Sequence, residues 1–420
     1  MTNVIVSAPR RFVDRGRPTV SATIEIDGRR HEIYYRVSQG PLLEASDPFL
    51  AAALLPAMKL GAPLRVEGTV SPHTLRHVMR LQEMFSAIHP AFHCIPIEAT
   101  AQPRPAGSAG RGSGCFFSGG VDSSHTVLKH KDEISHLIFV RGFDIRPDSQ
   151  LLYNRIAGPI HQAAVELGKP LIEVETNLRE LLDPYTDWAL QAFGTALASV
   201  VHLLSPQFQS VYYAGGRHYA ESRRGGINTV ITLLWSIPDI EMIDDGRDVT
   251  RHQKVVQLAQ SEQAMRWLRV CWENLGGEYN CGRCDKCTLT MISLSIAGAL
   301  DKCQTFNRPL DLDAVRQLDL SDNDRRSFEL LLAELEKSAP NPELAQAMRD
   351  CLGPSPAAAS TAGEDVVPKA ELRQAKRYIA RLEANLDRIY TSRSWRWTTP
   401  LRQAADAARM LKEGRELWKR

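Results

Sequence analysis

An α/β fold, a doubly wound parallel sheet with an N-terminal α+β domain and a C-terminal helical tail, is predicted by three observations. From Cys115 onward apolar strand-like runs alternate with helix-period runs; residues 1–100 hold a hairpin signal and two amphipathic stretches; and a Pro/Ala/Ser-rich segment sets off a basic terminus. The chain has 420 residues, 43% hydrophobic and 24% charged, enough to bury a sizeable core in two or three domains. Its formal charge of +2 gives no general reason to expect a nucleic-acid binder. The charge is uneven: residues 369–420 carry 14 basic and 6 acidic side chains, leaving 37 basic and 43 acidic in residues 1–368.

The elements follow in order. Two β-rich runs between Thr19 and Tyr35 are split by Asp27-Gly28, a hairpin signal, and Phe49 to Leu60 and His73 to Ile88 have helical periodicity. Residues 101–114 are rich in Pro, Gly, Ser and Ala and read as a linker. Within residues 115–305, CFFSGG, HLIFVRGF, PLIEVET and SVYYAGG read as strands; helices are expected between them, from Asp187 to Leu204, and around Arg251–Gln260 and Glu262–Val270. Residues 306–352 form a helical extension including Asp322–Lys337, residues 353–368 a second linker, and residues 369–420 a basic amphipathic tail with a short seam from Leu372 to Ile389. There is no run of 18 apolar residues and no basic-then-apolar leader, so a cytoplasmic protein is expected.

The strongest local signal is Phe117-Ser118-Gly119-Gly120-Val121-Asp122-Ser123-Ser124, between a strand and a helix. The two glycines allow close backbone approach, so successive N–H groups can face phosphate oxygens. Ser118 and Ser123 add hydroxyl donors, and the following helix offers its positive end. Asp122 is expected to cap that helix or hold Mg²⁺. No G-x-x-x-x-G-K-[ST] occurs, and the earlier G-R-G-S-G precedes its strand and lacks a third glycine, so kinase-type and dinucleotide readings lose.

The S-G-G-x-D-S string after an apolar strand resembles the pyrophosphate loop of the PP-loop ATP pyrophosphatase superfamily, adenine nucleotide α-hydrolase-like enzymes with a Rossmann-like HUP fold. The resemblance implies ATP as substrate, with Mg²⁺, and cleavage between the α and β phosphates. A carboxylate or amide carbonyl attacks the α-phosphate, pyrophosphate leaves, and a nucleophile displaces AMP. By chain order it also implies that Val140, Arg141 and Gly142 (with Phe143 and Asp144) border the adenine, and that Gly215, Gly216 and Arg217 lie near the sugar and α-phosphate. Ser118, Asp122, Ser123, Arg217 and Lys254 are the candidate catalytic groups. Arg223, Arg224 and Arg251 are further phosphate partners, and Asp144 and Glu221 weaker metal or substrate contacts.

Cys271, Cys281, Cys284 and Cys287 are separated by nine, two and two residues, spacing that can enclose one tetrahedral Zn²⁺ in a closed, structural site. An iron–sulfur cluster is the competitor, less favoured because no following Cys-Pro completes that pattern. Cys94, Cys115, Cys303 and Cys351 read as core or surface thiols. The loop and tetrad together are similar to 7-cyano-7-deazaguanine synthase-like members of the superfamily over residues 115–305. The first cysteine gap, the GRHYAESRRGGINT stretch and both flanking regions depart from that group.

The expected function is an ATP-dependent, adenylate-forming ligase or amidotransferase acting on a small-molecule carboxylate. No glutaminase nucleophile is evident, so ammonia or an amine comes from outside. The alternatives are a tRNA or nucleobase sulfur transferase, and a non-catalytic nucleotide-binding module. The acidic core, without a basic aromatic-interleaved stripe, speaks against nucleic acid. The terminal SRSWRWTTPLR resembles tails of bacterial surface-polysaccharide enzymes, which implies as substrate a nucleotide-linked or lipid-linked sugar acid or a group decorating a glycan; it also suits peripheral membrane contact or self-association.

Overall fold

The computed structural model describes residues 3–103, 111–216, 218, 234–320, 322–338 and 341–353, with side chains from 325 in the last long helix. Residues 1–353 form one compact unit; the tail, its seam and nearly all of the second linker lie outside the described residues. The fold is mixed α/β around a mostly parallel eleven-stranded sheet. Its strands are β1 (Val4–Val6), β2 (Arg10–Asp14), β3 (Arg17–Ile26), β4 (Arg29–Val37), β5 (Leu64–Val70), β6 (Ile97–Ala101), β7 (Gly112–Phe116), β8 (His136–Arg141), β9 (Leu171–Thr176), β10 (Phe208–Ala214) and β11 (Glu241–Asp245). Their order is β11-β10-β7-β8-β9-β4-β3-β1-β5-β6, with β2 paired to β3.

The five strands from β7 to β11 are mutually parallel, and β7 lies between β8 and β10. The chain therefore builds outward from β7 through β8 to β9, then returns to lay β10 and β11 on β7's other flank. That reversal falls between β7 and β10, whose carboxyl ends flank the crevice where an open α/β sheet generally takes its ligand. Period-2 alternation sends neighbouring residues to opposite faces. Cys115, Leu137 and Phe139 join a core with Val121, Ile156, Ile160 and Val255. Phe116, Ile138 and Val174 join a second with Phe49, Leu54, Leu197 and Val201. Both faces are thus covered, which is why these strands read as nearly continuous apolar runs.

The hairpin forms where expected: β3 pairs antiparallel with β4, and Asp27 and Gly28 turn the chain with φ of 51° and 74°. The first hundred residues do not make a sheet of their own. β4 pairs antiparallel with β9 through Tyr35–Thr176, Arg36–Glu175 and Val37–Val174, so the sheet runs unbroken from β6 to β11. Arg36 bridges Glu175 and Asp14 at this seam, and Arg141 reaches Glu175 at 3.3 Å.

Three expectations need correction. The stretch read as a linker ends early: Gly112 to Gly114 belong to β7, and Gly114 is flanked by Ile138 and Phe208 across the sheet. The helix expected from Asp187 opens with a π-helical turn, Trp188–Ala192, before the α-helix Phe193–Leu203; Trp188 and Phe143 pack there at 5.1 Å between ring centroids. The helix expected over Glu262–Val270 stops at Trp267, because the following residues cross in extended form to Gly119, whose carbonyl accepts from Arg269 N–H. The extension after residue 305 folds as Leu312–Arg316, Asp322–Ser338 and Pro342–Leu352, packed on Ile292 and Ile296.

Candidate functional site

Ser118 to Gly120 leave the carboxyl end of β7, and Val121–Lys129 begins a helix with Gly120 at its cap position. Gly119 has φ +73°, and a Cβ there would lie 2.9 Å from Ile160 Cδ1, so only glycine makes this turn without strain. The N–H groups of Gly119, Gly120, Val121, Asp122 and Ser123 find no acceptor among the described residues. The Ser123 hydroxyl closes the loop by accepting from the Ser118 N–H at 3.3 Å, and lies 3.5 Å from Ser118 Oγ. These unpaired donors sit at a helix N-terminus, chemistry suited to an anion.

Asp122 does not cap the helix: no side chain caps it. Its carboxylate instead accepts from Arg251 Nη1 at 2.7 Å and from Lys254 Nζ at 2.8 Å. Lys254 is 1% exposed and also donates to the Gly215 carbonyl at 2.6 Å, so one buried ammonium links the loop after β7 to the loop after β10. The helix Arg251–Leu258 holds both cations one turn apart, its start fixed by a reciprocal capping box between Thr250 and Gln253. With both oxygens of Asp122 engaged by cations, the carboxylate is a poor Mg²⁺ ligand in this arrangement. Phosphate fits the donor set; a metal on Asp122 does not.

The other sequence-derived residues divide. Gly215 and Gly216 follow β10 opposite the loop; Gly215 N–H donates to Asp245 O at 2.7 Å, and a Cβ on Gly216 would stand 3.9 Å from Asp122 Oδ2. Val140, Arg141 and Gly142 close β8 on the loop's other side. The Arg141 side chain is committed elsewhere, to Glu175, to Gln150 at 3.0 Å and over the Tyr153 ring at 4.2 Å. Gly142 has a packing reason of its own, since a Cβ would come within 1.8 Å of the Thr176 carbonyl. Phe117 and Ser124 are buried beneath the loop rather than presented from it. Arg217, Glu221, Arg223 and Arg224 lie outside the described residues.

Cys271, Cys281, Cys284 and Cys287 are all buried, with their Sγ atoms within 4.8 Å of one another. Cys281 and Cys287, and Cys271 and Cys284, stand 3.9 Å apart. Four thiolates about 2.3 Å from one tetrahedral zinc would be about 3.8 Å apart, whereas a disulfide needs about 2.05 Å. The Cys284 N–H donates to Cys281 Sγ at 3.3 Å, support for a thiolate. The cluster can hold a metal ion such as zinc, and sulfurs this close suit one ion better than a cluster of several irons.

A strap unforeseen in the sequence joins the two sites. Arg269 N–H donates to the Gly119 carbonyl at 2.8 Å, two residues before Cys271. Asn280, next to Cys281, accepts from the Val270 and Cys271 N–H groups at 2.8 and 3.2 Å, and donates to Leu268 O at 2.8 Å. Tyr279 donates to the Trp267 carbonyl. The only hint in sequence is the polar Tyr279-Asn280 beside a metal ligand, which carries no address for Gly119. Among the described residues no helix is long and apolar enough to cross a membrane. Comparison of the chain with protein-family models, with curated proteins and with solved structures found no match.

Proposed function

We propose that the protein is an ATP-dependent, adenylate-forming enzyme of the PP-loop type, its β7–β11 unit doubly wound in the HUP manner, which activates a small-molecule carboxylate with release of pyrophosphate. The observation that carries this reading is the Ser118–Ser123 loop, with five N–H groups that find no acceptor among the described residues, at the point where strand order reverses. Donors fixed before the reaction stabilise charge that grows on a departing group, and these would face pyrophosphate. Lys254 and Arg251 set two cations beside the loop, and Lys254 spans to Gly215, where the α-phosphate would lie. An adenylated carboxylate then yields to ammonia or an amine from outside the chain.

In this reading the four cysteines hold a resident, closed-shell zinc with no open position, so the metal shapes the site and takes no part in the chemistry. Reduced thiols at metal spacing suit the cytoplasm. A sugar acid is the proposed substrate class, by the likeness of the tail alone. The test is phosphorus NMR of ATP incubated with the protein and pools of carboxylates and nucleotide-linked sugar acids. AMP and pyrophosphate dependent on one acid are expected; formation of ADP and phosphate instead would overturn the reading.

A further inference from the structure

We propose that Asn280 is a positioning residue that couples metal occupancy of the four-cysteine site to the shape of the phosphate loop, through the strap from Trp267 to Cys271. The inference rests on the reading of Ser118–Ser123 as a phosphate cradle. Both ends of the connection are metal ligands: Cys271 ends the strap, and Cys281 follows Asn280. The Asn280 carboxamide, 3% exposed, zips the two together, accepting from the Val270 and Cys271 N–H groups and donating to Leu268 O and to Thr305 Oγ1 at 3.0 Å. Thr305 Oγ1 donates to the same Leu268 carbonyl at 2.7 Å.

What the strap delivers is one hydrogen bond and two steric contacts. Arg269 N–H holds the Gly119 carbonyl, and because a trans peptide unit is planar, its C=O and N–H point in opposite directions. Fixing the Gly119 carbonyl toward the strap therefore aims the Gly120 N–H away from it, into the crevice. The Trp267 and Arg269 carbonyls lie 3.4 and 3.5 Å from where side chains on Gly119 and Gly120 would begin, so the strap also forms the floor of the loop. Without metal, the span from Cys271 to Cys281 gains freedom and the Arg269 N–H loses its fixed direction.

Coupling of this kind is reciprocal: if the ordered metal loop tightens anion binding, anion binding must tighten the metal loop by the same factor. The experiment uses full-length protein loaded with zinc and Mg-pyrophosphate as probe. Pyrophosphate affinity is measured by calorimetry, and zinc affinity by equilibrium competition with a chromogenic chelator with and without pyrophosphate, with free zinc as control for its own chelation. We expect saturating pyrophosphate to protect the zinc, raising its affinity on the order of ten-fold. In Asn280→Ala that retains its zinc, pyrophosphate affinity should fall by a similar factor and the protection should vanish. A wild-type zinc affinity indifferent to bound pyrophosphate overturns the proposal, whether or not the variant folds. An Asn280→Ala protein that protects its zinc as the wild type does overturns it equally. If zinc-loaded wild type binds no pyrophosphate, the phosphate-cradle reading itself fails, a distinct result that removes the coupling with it.

Discussion

Lys254 carries more of the site than its place in the sequence announces. A buried ammonium needs partners, and Lys254 has two, the Asp122 carboxylate and the Gly215 carbonyl, on opposite sides of the crevice. Lys254→Met keeps the length and the apolar stem but removes the link. Asp122 keeps Arg251 at 2.7 Å, so no carboxylate is left stranded and the fold should survive. One charge-assisted contact is worth about 1.5–3 kcal/mol, so pyrophosphate affinity should fall by about 10- to 100-fold. Calorimetric titration with Mg-pyrophosphate checks this, and unchanged affinity would remove Lys254 from the site. At this scale legibility follows sequence distance. The loop from Ser118 to Ser123 is local, so its residue types announce the turn from strand to helix. Lys254 meets Asp122 from 132 residues away, and nothing near either residue names the other.

Secondary elements were the most legible level, because each carries its own period, and the misreadings fall where a distant partner intervenes. The helix after Glu262 ends at Trp267 because Arg269 is drawn to Gly119, and the helix expected from Asp187 starts as a π turn beside Phe143. The helix Val121–Lys129 shows how such partners stabilise an element. Its N-terminus ends in the loop, while its far half is tied to β11 by Asp245, which accepts from Thr126 Oγ1 at 2.9 Å, Lys129 Nζ at 2.9 Å and His130 Nε2 at 3.0 Å. Burial works against the Asp245 charge, but the bonds from Lys129, His130 and Thr126 outweigh it and hold the carboxyl below its ordinary value. A carboxyl depressed in the folded state contributes stability that is complete above its unfolded value, about 3.9, and lost as pH falls through the lower folded value. Asp245→Asn should therefore cost about 2 kcal/mol at pH 7, and the gap from wild type should close as the pH is lowered below about 4. Urea midpoints of the two proteins from pH 7 to pH 2.5 decide it; a gap constant into acid would show that the Asp245 charge contributes nothing.

The whole molecule is where sequence reading falls shortest, for a physical reason: pairing between strands distant in the chain is set by packing, not by any local signal. Tyr35, Arg36 and Val37 look like the end of a hairpin, yet they supply the pairing edge for Thr176, Glu175 and Val174. The helix Asp47–Leu60 is buried from Asp47 to Met58, which a helix at the surface of a separate small domain could not be. Its apolar side chains share one core with Leu197, Val200 and Val201 of the helix Phe193–Leu203, and with Ile172 and Val174 of the sheet. Residues 3–103 and 111–353 share one sheet and one core, and are expected to unfold as one cooperative unit. Removing the first half would strip the β9 edge of its partner and uncover several side chains worth about 1.5–3 kcal/mol each, against a total stability of about 5–15 kcal/mol. Expressed alone, neither fragment should unfold cooperatively, and the two co-expressed should restore a single transition with zinc and pyrophosphate binding. Thermal unfolding followed by circular dichroism is the measurement. A sharp transition in the 111–353 fragment alone, with wild-type pyrophosphate affinity, would mean that the N-terminal strands are an appendage to the β7–β11 sheet and not part of its foundation.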